Sequence, residues 1–347
     1  MSNHINPKFL KNLRKRKSVS GKEIIDRLFK GDKVALSQSI TLVESEQQKH
    51  KTIVEELISS CLPKSGKSFR IGITGVPGVG KSTFIEAFGK YLITLGKKVA
   101  VLAVDPSSSI TKGSILGDKT RMQSLVSEKD AFIRPTASGS SLGGVARKTR
   151  ESIILCEAAG FDIILVETVG VGQSETAVHS MTDFFLLLKL AGAGDQLQGI
   201  KRGIIEMADA ILINKSDGDN LKPAQKAKVE FQKALHLYPQ KESGWTPKVK
   251  CISSLKHEGI TRTWTMLEEF IALSSENGHF EKNRFRQQKF WLHDSLNQKL
   301  KQNFYQHPKL KKELMNQLTN IELQKTSSFK AADELYAFYL KCLKENK

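Results

Sequence analysis

A chain of 347 residues with 39% hydrophobic content holds one large α/β domain plus helical additions, which excludes a disordered chain. Its formal charge of +18 raises nucleic acid or an anionic membrane as partners. The basic residues are scattered, however, without interleaved aromatics or a recognisable nucleic-acid module, so no nucleic-acid or membrane partner is expected and the charge is read as a lysine-rich solvated surface.

Residues 1–35 carry ten Lys or Arg against three acids, including Arg14-Lys15-Arg16-Lys17. The first twenty residues lack acids and also lack the apolar core of a secretory signal, so the cytoplasm is the expected location. Periodic apolar positions at Ile24, Ile25, Leu28 and again at Val54, Leu57, Ile58 predict a helical N-terminal extension over residues 1–60. The turn Lys64-Ser65-Gly66-Lys67 leads into a core domain over 61–275. There, strands expected near 69–74, 99–105, 161–167, 183–189, 208–213 and 248–253 alternate with helical patterns, which predicts a mainly parallel sheet covered by helices on both faces. The ligand of such a sheet sits at the carboxyl ends of its strands. Residues 276–347 read as a polar helical arm with breaks at Pro308 and near Ser327-Ser328, and amphipathic stretches around Phe290-Trp291 and Leu335 to Leu343. That arm either packs against a partner subunit or covers the domain. No apolar run reaches transmembrane length, since Phe184 to Leu190 is interrupted by Lys189.

The densest chemical signal is Gly75-Val76-Pro77-Gly78-Val79-Gly80-Lys81-Ser82, followed by Thr83, between an apolar strand and a helical run. Glycines there let backbone N–H groups surround a triphosphate, Lys81 reaches the β- and γ-phosphates, and the Ser82 hydroxyl is placed for Mg²⁺. This is the phosphate loop of a P-loop NTPase. Downstream, Ala208-Asp209-Ala210-Ile211-Leu212-Ile213 runs into Asn214-Lys215-Ser216-Asp217. Asp217 can accept from the N1–H and exocyclic amine of guanine, whereas adenine would leave the same carboxylate unpaired. Asn214 and Lys215 brace the loop and cover the base, so GTP is preferred over ATP.

Phe161 to Val166 is an apolar run ending in Glu167, followed by Thr168-Val169-Gly170-Val171-Gly172-Gln173. Glu167 at a strand end can hold a water on Mg²⁺, and the Gly170 N–H can face the γ-phosphate. Gln173 either orients the attacking water or makes loop hydrogen bonds. A second strand ends at Asp105, where Pro106 forces an extended backbone, and Asp118 lies in a polar loop. Either of these carboxylates serves Mg²⁺ or the water, and spacing does not choose between them. Four isolated cysteines, Cys61, Cys156, Cys251 and Cys342, and eight dispersed histidines offer no transition-metal site and no disulfide framework. Mg²⁺ is the one metal expected. The stretch Leu190 to Gly203 holds four glycines with Gln198 and Lys201, read either as a mobile switch or as an ordinary surface loop.

In order, Gly31-Asp32-Lys33-Val34-Ala35-Leu36, the phosphate loop, Val104-Asp105-Pro106-Ser107, Gly117-Asp118-Lys119-Thr120-Arg121-Met122, Ser141-Leu142-Gly143-Gly144-Val145-Ala146 and Glu167 to Glu175 resemble the MeaB/MMAA-type GTPases, also described as ArgK-type transport ATPases or kinases. The resemblance spans roughly residues 20–275. It implies a GTPase that chaperones an adenosylcobalamin-dependent acyl-CoA mutase, typically methylmalonyl-CoA mutase, gating cofactor delivery and protecting the enzyme. It further implies a homodimer built with the C-terminal helices. Lys81 and Ser82 would serve the phosphates and Mg²⁺, while Asp105, Asp118 and Glu167 would line the magnesium and water site. Asn214, Lys215 and Asp217 would read guanine under a loop at Ser253-Ser254-Leu255, where Ser254 stands in place of a common alanine. The 190–203 stretch resembles an additional switch, and Lys201 is expected to couple nucleotide state to the mutase interface. The competing readings are a transport-associated kinase, for which no second substrate pocket or base is marked, and a GTP-switched binding module, motivated by the basic N-terminus.

Overall fold

The computed structural model describes residues 21–104, 122–136, 142–168, 174–192 and 202–345. In chain order the helices are α1 Gly21–Phe29, α2 Lys33–Glu44 and α3 Lys51–Cys61, then α4 Lys81–Thr94, α5 Gln123–Val126, α6 Leu142–Ala158, α7 Ser174–His179, α8 Arg202–Met207, α9 Leu221–Leu235 and α10 Ile260–Glu276. They are followed by α11 His279–Gln306, α12 Pro308–Glu322 and α13 Ser328–Glu345. The strands are β1 Phe69–Gly75, β2 Val99–Val104, β3 Ala131–Thr136, β4 Ile163–Thr168, β5 Phe184–Leu190, β6 Ala210–Asn214 and β7 Lys248–Cys251. Two compact units divide after Arg284.

The seven strands form one sheet in the order β3-β2-β4-β1-β5-β6-β7, and every pairing is parallel. Strands buried on both faces need unbroken apolar runs, and β1, β2, β4 and β6 are buried throughout. Side chains alternate between two layers. Leu186 and Leu188 of β5 join Phe84, Ile85 and Phe88 of α4 and Trp264, Leu267 and Phe270 of α10. Leu187 of the same strand joins Ile211, Ile213 and the α9 residues Ala224, Ala227 and Phe231. The expected parallel α/β architecture is therefore present, with helices on both faces.

β3 is a strand that the sequence pattern does not disclose. It lies at the sheet edge and pairs Pro135 against Ala103 of β2, a position where a missing N–H is tolerated. The N-terminal helices are fastened near it. Gly31, at φ 77°, turns the chain out of α1. Asp32 then caps α2 by accepting from the Val34 and Ala35 N–H groups at 2.7 and 3.3 Å. From the end of α2, Glu44 pairs with Arg134 of β3 at 2.5 Å.

The amino ends of the central strands are held by charge. Arg70 of β1 lies under Glu157 of α6, with Nε and Nη2 donating to its two carboxylate oxygens at 2.9 and 3.0 Å. Ser68 Oγ and the Gly66 N–H donate to the same carboxylate at 2.6 and 2.8 Å. Asp183 accepts from the Arg70 N–H at 2.8 Å and from Arg284 at 2.6 Å, and Arg284 also donates to the Ser68 carbonyl at 2.8 Å. Every one of these buried charges has an opposite partner.

The second unit, from Phe285 onward, is helical. Leu310, Ala331, Leu335 and Cys342 are buried between α12 and α13, and Phe304 meets Tyr339 edge-on at 5.0 Å. Breaks fall where Pro308 opens α12 and where Ser328 opens α13, as the sequence predicts. No described helix is long and apolar enough to cross a membrane.

Candidate functional site

β1 lies between β4 and β5, so the chain order reverses across it and a crevice opens beyond its carboxyl end. The phosphate loop fills that position, leaving β1 at Gly75 and entering α4 at Lys81. Two of its glycines are required by space. A Cβ on Gly75 would lie 2.5 Å from the Leu188 carbonyl oxygen, and one on Gly80 would lie 2.6 Å from Asn214 Nδ2. Gly78 has open surroundings, but its φ of 80° disfavours any side chain. Val79 is buried, Val76, Gly80 and Ser82 are half-buried, and Pro77, Gly78 and Thr83 face solvent. The first turn of α4 thus presents backbone N–H groups and the positive end of a helix dipole to the crevice.

Lys81 is drawn back into this loop. Its Nζ donates to the carbonyls of Gly75 at 2.7 Å and Val76 at 3.4 Å, and the side chain is buried. Burial lowers its pKa, opposed by the negative charges of Glu167 and Glu175. Glu167, the penultimate residue of β4, is buried and aligned with Ile73 of β1. Beside it Thr168 Oγ1 donates to Thr74 Oγ1 at 2.8 Å, tying the two strand ends together.

At the end of β6, Asn214 joins the two halves of the site. Its Nδ2 donates to the Val79 carbonyl at 2.8 Å. Its Oδ1 accepts from the Ser254 N–H at 3.1 Å and the Ser254 hydroxyl at 2.8 Å. Lys215, held at φ 56°, lays its ammonium on the Gly78 carbonyl at 2.9 Å. Asp217 accepts from the Ser253 hydroxyl. The Ser253 N–H and carbonyl in turn pair with Glu258 at 3.0 Å each, closing a short turn on which Leu255 is exposed. The Ser254 N–H is thus spent on Asn214 Oδ1. The serine hydroxyl found where alanine is common adds a second bond to the same oxygen.

The structure thus brings together Lys81, Ser82, Glu167, Asn214, Lys215, Asp217, Ser253 and Ser254 at the carboxyl ends of β1, β4 and β6. Asp105, Asp118, Gly170, Gln173 and Lys201 lie outside the described residues. Among the described residues no group of three or more His, Cys, Asp or Glu side chains is placed to hold a metal ion. Glu175, which motif chemistry does not single out, is a further buried acid, its Oε2 without a hydrogen-bond partner, and its sequence signal is its place at the end of the Glu167-to-Glu175 run.

The profile of the family described as methylmalonyl Co-A mutase-associated GTPase MeaB matches residues 36–309. GTPase ArgK of Escherichia coli is 48% identical over 270 residues, covering 78% of this chain and 82% of that protein. The mitochondrial methylmalonic aciduria type A homolog of Mus musculus is 45% identical over 304 residues, covering 84% of this chain and 73% of that protein. A crystal structure titled LAO/AO transport system kinase superposes with a TM-score of 0.75 at 36% identity, covering 93% of this chain and 98% of the other.

Proposed function

The chain belongs to the MeaB family of methylmalonyl-CoA mutase-associated GTPases, and from that premise we propose that it is a Mg²⁺-dependent GTP hydrolase acting as a chaperone of an adenosylcobalamin-dependent acyl-CoA mutase. It gates delivery of the cofactor and protects the mutase, most directly methylmalonyl-CoA mutase. The observation that carries the nucleotide part is the pair of hydrogen bonds by which the Asn214 amide donates to the Val79 carbonyl and accepts from the Ser254 N–H, linking the phosphate loop to the Ser253–Leu255 turn.

Each residue then has a task that its position supports. Gly75 to Gly80 and Thr83 bound the triphosphate, and Lys81 exchanges its two carbonyl partners for phosphate oxygens. Asp217 turns from Ser253 to the N1–H and amine of guanine, while Lys215 covers the ring from its seat on Gly78. Ser253 and Leu255 close the base from the opposite side. The donor set fits a hard cation. Ser82 stands in the first turn of α4, and the buried Glu167 carboxylate and the buried, unpaired Glu175 Oε2 lie in the field of Lys81. Ser82, Glu167, Asp105 and Asp118 are assigned to Mg²⁺, which when bound neutralises charge on the phosphates. Glu167, Asp105 and Gln173 are assigned to the attacking water, the Gly170 N–H to the γ-phosphate, and Lys201 to coupling with the mutase.

A homodimer through the C-terminal helices is supported by Leu292, Leu296 and Leu300, which recur every four residues along α11 and are all exposed. Cytoplasmic residence is supported by four free cysteines. GTP hydrolysis measured with and without a cobalamin-dependent mutase from the same source, with ATP and Lys81→Ala as controls, tests the reading. Stimulation by the mutase that is specific to GTP and lost in the variant is the expected outcome. GTP hydrolysis indifferent to every such mutase removes the chaperone role and keeps the GTPase.

A further inference from the structure

β7 stands at one end of the sheet, and among the described residues no strand pairs with its outer side. Which of its backbone groups face outward follows from the ladder. Lys248 and Ile252 donate their N–H groups inward, to the Asp209 and Ile213 carbonyls at 3.3 and 2.8 Å. Peptide groups alternate in direction along a strand, so the N–H and C=O of Val249 and the N–H of Cys251 point away from β6. Edge groups of this kind are a template for a further strand.

The side chains alternate as well. Val249 faces α9 and belongs to the layer of Leu187, Ile211 and Phe231. A cavity of about 310 Å³ opens beside it, walled by Lys228, Gln232 and Leu235 of α9 and by β7 itself. Lys248 and Lys250 project to the other face, where Lys248 pairs with Glu269 of α10 and lies 4.7 Å from the Trp245 ring centroid. No Asp or Glu lines the cavity. A second copy of β7 would set its own lysines against these, and like charges on neighbouring strands repel. A strand that alternates acidic and apolar residues meets both faces at once, with carboxylates beside Lys250 and apolar side chains beside Val249 and Leu235. Nucleic acid would satisfy the lysines but has no row of N–H and C=O groups to continue the ladder. We propose that the outer edge of β7 is a docking site for an extended segment of a partner protein in which acidic and apolar residues alternate, taken up as an added strand. The inference does not depend on nucleotide binding.

The test is fluorescence anisotropy of a short labelled peptide of alternating valine and glutamate, titrated with the full chain at low and at physiological salt. Saturable binding that weakens as salt rises is expected. Lys228→Glu and Lys250→Glu each replace an attraction by a repulsion and should weaken it about tenfold. Amide hydrogen exchange at Val249 and Cys251 should slow when the peptide is bound. The same peptide N-methylated at every backbone nitrogen keeps its charge, cannot extend the ladder and should not bind, a result read on the wild-type chain and so independent of how the variants fold. Equal binding of the N-methylated peptide, or of a peptide alternating valine and lysine, overturns the proposal. An oligonucleotide that binds where the peptide does not would assign the lysines to nucleic acid and overturn it too. So would the absence of binding by the valine–glutamate peptide, or wild-type affinity in both lysine variants.

Discussion

Lys189 offers the most quantitative perturbation. It interrupts the apolar run of β5, yet its side chain is 2% exposed and its Nζ has no hydrogen-bond partner. It lies in the layer of Leu187, Ile213 and Phe231, with the ammonium 5.4 Å from the Phe231 ring centroid. Burial alone pushes its pKa from 10.5 down to about 8. At ~1.4 kcal/mol for each pH unit, the charged form costs the fold about 3 kcal/mol at neutral pH. The unfolded chain binds this proton more tightly, so the cost is complete below pH 8 and is relieved as pH rises toward 10.5. Lys189→Met fills similar volume without charge. It also forfeits a cation–π contact of about 1 kcal/mol, leaving an expected gain of about 2 kcal/mol. Urea denaturation of wild type and variant at pH 7 and pH 10, followed by tryptophan fluorescence, measures it. The variant is expected to be more stable at pH 7, with the gap largely closed at pH 10. A variant less stable at pH 7, or a gap independent of pH, refutes the reasoning.

Two other substitutions probe the frame of the site. Asn214→Ala leaves the Val79 carbonyl and the Ser254 hydroxyl without their shared partner, and should cost about 2 kcal/mol in denaturant melts together with a loss of guanine nucleotide affinity in calorimetry. Glu157→Gln removes the buried countercharge of Arg70. A loss of about 3 kcal/mol is expected in the same melts, while the affinity of the folded fraction for GDP stays within about twofold because the site lies at the opposite strand ends.

What was legible in the sequence follows from range. The loop from Gly75 to Ser82 and the Asn214–Asp217 run are motifs of contiguous residues, so both can be read without knowing which strands become neighbours. Their strands were equally visible, since burial on both faces demands unbroken Val, Ile and Leu. The sequence pattern does not mark β3 because Ala131 to Thr136 sits at an edge and its apolar run is broken by Arg134 and Pro135. Lys189 reads as a polar interruption because a pattern weighs residue type, whereas its burial depends on α9 arriving from later in the chain. The buried pairs Arg70–Glu157 and Arg284–Asp183 join residues 87 and 101 positions apart, and no local pattern carries such a pairing. Glu175 is visible as a letter in a matching run, but its burial exists only once α7 packs against β1 and β4.

That cluster of paired charges lies at one rim of the sheet and the nucleotide loops at the other. The strands between them therefore resemble fingers clenched by buried charge at the knuckles and tied by hydrogen bonds at the tips. Loops at the tips can exchange Lys81, Asn214 and Asp217 partners without disturbing strand register, because Arg70, Glu157, Asp183 and Arg284 hold it from behind. A protein that loads, hydrolyses and empties repeatedly keeps the memory of its fold in the half of the sheet that never meets the ligand.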